Sequence, residues 1–326
     1  MIHQFNLPEK TIYNAAGCHC TTLQDLEDLQ FSQAGAIMTK SCTLEARDGN
    51  PKPKYWNNEE ISVNSNGLEN LGYLDYLEYF KNNRDVDTDK PFILSVAGLS
   101  LEDNITIVQE AFNAGVYAVE LNLSCPNLGG VPVSQDIEQL DYYLKSIVSS
   151  TNYENVDIPL GLKLPIYTNK NDIKKVAEMV EKYDVAFITC SNSMPNCIVY
   201  DSYVAVDNKV CITNPLKNIT GGLGGKFMKP IVLGQIYQFR QALSLLNNTR
   251  CKIIMCGGIS RGFDCLEGEK VGANYFQIGT ALEINGTDIF EDIIYGVDDA
   301  DVPYGPDIVE VQYDADDEDV FDIETN

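Results

Sequence analysis

Apolar runs of strand length recur along this chain, separated by segments whose apolar residues return every three or four positions. The runs are TIYNAAG (11–17), AGAIMTKS (34–41), PFILSVAG (91–98), YAVELNLS (117–124), PLGLKLP (159–165), VAFITCSNS (185–193), KIIMCGG (252–258) and NYFQIGT (274–280). Between them, TTLQDLEDLQFS, NITIVQEAFNAG, NDIKKVAEMVEKY and FDCLEGEKVGA carry the helical period. Strand and helix alternating eight times predict an α/β fold, a single (β/α)8 TIM barrel. An open doubly wound sheet is the competing architecture. The strand count disfavours it, as does the lack of a Gly-x-Gly-x-x-Gly fingerprint after the first strand.

Two connections exceed ordinary barrel loops. Residues 42–70 and 194–225 both follow strands on the face where barrel enzymes place their chemistry, and such excursions predict walls and lids over a site. Residues 297–326 hold twelve acidic side chains and no basic one, which reads as a solvated or disordered tail outside a barrel of residues 1–296.

The 326 residues are 44% hydrophobic, ample for a large core, and Asp and Glu outnumber Lys and Arg 48 to 23. A formal net charge of −25 argues against nucleic acid or an anionic membrane as partner. A small anionic ligand needs a local cationic pocket. With no apolar stretch of spanning length and no leader pattern, a soluble, cytoplasmic protein is expected. The ten cysteines are scattered without a CxxC pair, and only two histidines accompany them, so reduced buried thiols are expected and no metal site.

Closing the barrel brings the strand-end polar residues Lys40, Ser41, Asn122, Cys125, Lys163, Asn192 and Ser193 toward one pocket, although each alone reads equally as a cap or packing residue. After the last two strands, Gly257, Gly258, Gly279 and Thr280 offer backbone N–H groups to a phosphate, the alternative being tight turns alone. Lys40 and Lys163 are costly inside a barrel unless each meets an anion.

The motifs TLEARDGNPKPKYW, NSNGL, VELNLSCPN, GLKLP, SNS, GGLGGKFMKP, CGGISRG and FQIGTAL resemble, in order, those of class 1A dihydroorotate dehydrogenases, the soluble FMN enzymes of pyrimidine synthesis. The resemblance runs from about residue 5 to 292. It implies that Cys125 is the base that takes a proton from dihydroorotate C5 while hydride leaves C6 for flavin N5. It places Lys163 near flavin N1 and O2, and Lys40 against both FMN and the substrate carboxylate. Asn64, Asn122, Asn127, Asn192 and Ser193 match the orotate-binding side chains, and backbone at Gly67 and Leu68 completes the carboxylate's cradle. FMN is matched by Ala16, Lys40, Ser41, Asn122, Lys163, Ser191, Gly225, Gly257, Gly258, Gly279 and Thr280. A homodimer and fumarate as electron acceptor are further implications.

The chain departs from that pattern at several positions. Ala16 stands for the usual Ser, Asn66 for Met and Glu69 for Pro, while Gly129 and Val131 replace Pro and Lys, a change that loosens a lid. Two other functions compete with fumarate-linked turnover. One is the same half-reaction feeding an NAD-linked iron–sulfur partner, as in class 1B. The other is a flavin-binding barrel that has lost turnover.

Overall fold

The computed structural model describes residues 3–83, 90–124, 132–200 and 220–298. The chain opens with β1 (Ile12–Asn14), α1 (Leu23–Phe31) and β2 (Ile37–Met38). The connection after β2 forms a hairpin of β3 (Tyr55–Asn57) and β4 (Ile61–Asn64) before α2 (Tyr73–Asn82). Strand and helix then alternate through β5 (Phe92–Val96), α3 (Leu101–Ala114), β6 (Ala118–Asn122), α4 (Ile137–Ser150), β7 (Leu160–Leu164), α5 (Lys170–Lys182) and β8 (Phe187–Cys190). A second excursion contributes β9 (Met194–Cys197) and β10 (Gly221–Gly225), followed by α6 (Lys229–Leu245), β11 (Lys252–Cys256), α7 (Gly262–Lys270), β12 (Tyr275–Ile278), α8 (Thr280–Asn285) and α9 (Ile289–Asp298). Residues 299–326, most of the acidic tail, lie outside the described residues.

All eight strands expected from the apolar runs form, and they pair in parallel in the order β1-β12-β11-β8-β7-β6-β5-β2. The last seam, β2 to β1, is closed largely by a side chain. Asn14 Nδ2 donates to Met38 O at 2.7 Å, Met38 N donates to Asn14 Oδ1 at 2.9 Å, and Gly35 N donates to Ile12 O at 2.9 Å. The Asn14 amide thus replaces a peptide group in the ladder, and the sheet becomes a (β/α)8 barrel.

Local chemistry sets the helix ends. Thr22 and Asp25 form a reciprocal capping box on α1, Ser100 caps α3, Asp136 caps α4 and Asn169 caps α5. At α7 the carboxylate of Asp264 accepts from the backbone of Ser260 and Arg261. Among the described residues no helix is long and apolar enough to cross a membrane.

Two apolar cores result. One lies between the strands and the helices. The other fills the N-terminal half of the barrel, where the Phe5 ring lies 4.2 Å from that of Phe187 and edge-on to Tyr275, above Ala36 and Ala118. Phe187 also occupies the space opposite Gly161, where an added Cβ would sit 2.2 Å from its ring. The opposite half of the barrel interior is polar.

The two long connections do not remain loops. They meet in an antiparallel sheet, β3-β4-β10-β9, that roofs the C-terminal end of the barrel. Of its two inner strands, β10 reads GGLGG because side chains would not fit at its glycines: a Cβ on Gly222 would lie 2.2 Å from Ser193 Oγ.

Candidate active site

Between the barrel mouth and this roof lies a cavity of about 1630 Å³. Ala16, Lys40, Ser41, Asn64, Gly67, Leu68, Asn122, Lys163, Ser191, Asn192, Ser193, Gly225, Gly257, Gly258, Gly279 and Thr280 all line it. These are the predicted site residues that the structure describes. Cys125 and Asn127 lie outside the described residues, in the connection that leaves Ser124.

The amides at the strand ends are locked into one hydrogen-bonded chain. Asn122 Nδ2 donates to Ser41 Oγ at 3.0 Å, and Ser41 Oγ meets Ser95 Oγ at 2.9 Å, tying β6 to β5 and to the segment after β2. On the other side, Ser124 Oγ donates to Asn122 Oδ1 at 2.8 Å, and Asn192 Nδ2 reaches Ser124 Oγ at 2.6 Å and Asn122 Oδ1 at 3.2 Å. Asn192 Oδ1 in turn accepts from Ser193 N at 2.9 Å. Neighbours therefore fix each amide's orientation before any ligand arrives, which preorganises donors and acceptors for a flat heterocycle. Ser95 and Ser124 were not among the predicted site residues; small hydroxyls at strand ends carry no signal that separates them from packing residues.

The two lysines sit in different surroundings. Lys40, 8% exposed, donates to Gly17 O at 2.8 Å. Lys163, 4% exposed, makes no hydrogen bond or ion pair among the described residues. Burial pulls its ammonium toward the neutral form, yet Cys256, Glu120 and Cys20 outweigh that and raise its pKa overall. Burial pushes Cys20 up to about 12 and Cys256 upward as well, so both are thiols near neutrality and Glu120 is left as the acid facing Lys163.

Glu120 was also absent from the sequence-based set. It is fully buried inside the barrel, where Oε2 accepts from Thr189 Oγ1 at 2.6 Å and from Gln277 Nε2 at 3.2 Å. Gln277 Nε2 also lies 3.1 Å from the Tyr13 hydroxyl. Glu120 Oε1 and Gln277 Oε1 are buried with no partner among the described residues. Within VELNLSCPN its place in the strand alternation is that of an ordinary barrel residue.

The walls come from the roof and from the last two strands. Asn64 Nδ2 donates to Gly222 O at 3.1 Å, and Asn50 holds the 65–68 turn, where Gly67 and Leu68 adopt φ of 69° and 58°. Ser62 Oγ meets Thr280 Oγ1 at 2.7 Å, fastening β4 to the start of α8. Gly258, at φ 84°, passes so close to Lys229 that a Cβ would sit 2.4 Å from it. Lys229 is itself paired with Asp264 at 2.8 Å and Glu267 at 2.7 Å.

Two departures from the family pattern acquire local explanations. Asn66 Nδ2 donates to Cys18 Sγ at 3.2 Å, so an amide and a thiol pair where the pattern has an apolar Met. Glu69 pairs with Lys54 at 2.7 Å, which directs its charge to that lysine.

A deep cavity with glycine-rich turns on one side, locked amides on another and a buried ammonium without a direct hydrogen-bond partner beneath suits a flat, electron-accepting cofactor stacked on a small polar ring. The profile of the family described as dihydroorotate dehydrogenase matches residues 3–300. A dihydroorotate dehydrogenase A (fumarate) of Lactococcus lactis subsp. lactis is 39% identical over 286 residues, covering 86% of this chain and 87% of that protein. A dihydroorotate dehydrogenase (fumarate) of Kluyveromyces lactis is 38% identical over 288 residues, 87% of each. Sequence, fold and cavity therefore agree that the chain belongs to the dihydroorotate dehydrogenase family.

Proposed function

We propose that this chain oxidises (S)-dihydroorotate to orotate in UMP biosynthesis with bound FMN, which fumarate reoxidises. The observation that carries this reading is the convergence of Asn122, Ser124 and Asn192 with Lys40 and the unpaired Lys163 in one cavity. The names of the relatives supply fumarate as acceptor. A cytoplasmic homodimer is the corresponding assembly.

The residues present fit FMN. Backbone N–H groups around Gly257, Gly258 and Gly279, with the Thr280 hydroxyl, suit a phosphate. The glycine-rich strand β10, with Leu223 its one side chain, leaves a low wall, and Lys163, which makes no direct hydrogen bond or ion pair among the described residues, is a cation for the pyrimidine edge of the ring. When bound, FMN supplies the hydride acceptor.

The chain's own groups do the rest. Cys125, outside the described residues, is the base for the C5 proton, a role a thiol fills near neutrality when its surroundings favour the thiolate. Lys40 meets the substrate carboxylate, while Asn64, Asn122, Asn127, Asn192 and Ser193 hold the ring's alternating donors and acceptors. The roof sheet covers these groups, and what shielding it gives strengthens their interactions.

Anaerobic addition of dihydroorotate to the purified protein is expected to bleach the visible flavin absorbance, and fumarate to restore it. A flavin that stays oxidised sinks the reading; one that bleaches but ignores fumarate removes the acceptor.

A further inference from the structure

We propose that Glu120 is a positioning residue for this reaction, a buried counter-charge that keeps the Lys163 ammonium protonated beneath the flavin. The inference rests on the FMN reading above and goes beyond it.

Strand register carries it. Across β6 and β7, Glu120 lies beside Gly161 and Asn122 beside Lys163, so on the inward face the carboxylate sits one layer below the ammonium. Across β7 and β8, Lys163 lies beside Thr189, and Thr189 Oγ1 donates to Glu120 Oε2 at 2.6 Å. Glu120 thus shares an immediate neighbour with Lys163. Its Oε1 and Gln277 Oε1 are buried without partners, while the Lys163 ammonium, one layer away in the register, makes no direct hydrogen bond or ion pair among the described residues.

The other titratable groups around this layer are Tyr13 on β1, Cys20 after it, Lys40 after β2, and Cys256 on β11. Burial holds the tyrosine and both thiols in their neutral forms near pH 7, and Lys40 is a like charge. Glu120 is the acid left to offset the desolvation of Lys163. Removing it lets the ammonium lose its proton within the physiological range, as buried lysines without partners do.

Sulfite binding to the FMN-loaded full chain reads this charge without turnover. Sulfite adds at flavin N5 and leaves negative charge at the N1–O2 edge, so its affinity tracks a cation there. For Glu120→Gln, the ratio of variant to wild-type sulfite Kd is expected to grow about tenfold between roughly pH 6 and 9. Glu120→Asp is expected to restore the wild-type profile, and Lys163→Met to weaken sulfite at every pH.

A Glu120→Gln ratio that does not change with pH overturns the inference, whereas a wild type that binds no FMN overturns the functional reading instead. If Glu120→Gln folds but does not hold FMN, denaturant unfolding of the FMN-free full chain decides. In Glu120→Gln/Lys163→Met the rise in the unfolding equilibrium constant is expected to fall about tenfold short of the product of the two single-variant rises, because each single leaves a charge buried alone. Additive effects overturn the proposal.

Discussion

Asn192 shows how much of the site one side chain holds. Its amide binds Asn122, Ser124 and the backbone N–H of Ser193 together. Asn192→Ala leaves Asn122 Oδ1 with one donor fewer and frees Ser193, so ligand-facing groups lose their fixed orientation. The expected result is a dihydroorotate KM raised roughly tenfold to a hundredfold, with FMN content unchanged, as the loss of one well-placed amide costs ~1–3 kcal/mol. Steady-state kinetics on the FMN-loaded variant would measure this, and an unchanged KM would contradict it. At this scale the strand-end amides and lysines were legible, because polar groups closing an apolar run need an explanation. Ser95, Ser124 and Glu120 were not, since partners far away in sequence define their roles.

Elements were legible where burial wrote them into composition. The eight barrel strands are covered on both faces and therefore read as continuous apolar runs. The roof sheet escaped notice because GGLGG has neither alternation nor β-branched residues, and its need for glycine at Gly222 comes from Ser193, just before β9. The seam between β1 and β2 was equally hidden, since nothing local marks Asn14 as a stand-in for a peptide group. Asn14→Leu leaves the Met38 N–H and C=O buried without those partners. A loss of about 2–5 kcal/mol in unfolding free energy is expected, read as a lower denaturant midpoint with an unchanged m-value. A change below ~1 kcal/mol would show that the barrel closes without this side chain.

Over the whole molecule, the barrel interior divides into an apolar half for stability and a polar half for chemistry, an arrangement suited to a fold whose catalytic groups gather at one end. Phe5, fully buried at the apolar end, tests that division. Phe5→Ala is expected to cost about 3–5 kcal/mol of stability, measured by denaturant unfolding, while kcat for dihydroorotate oxidation stays near wild type. A collapse of kcat in protein shown to be folded would mean that the two halves are coupled.

The seam and the roof also set a schedule. Tyr13 on the first strand meets Gln277 on the last, 264 residues later, and Asn64 meets Gly222 across 158. During synthesis β1 therefore waits with an open edge until almost the entire barrel has left the ribosome, and the ceiling of the cavity arrives only with β10. The binding chamber is among the last things to exist. Cofactor uptake by this chain is accordingly a late event, and a bound flavin certifies a chain that has finished folding.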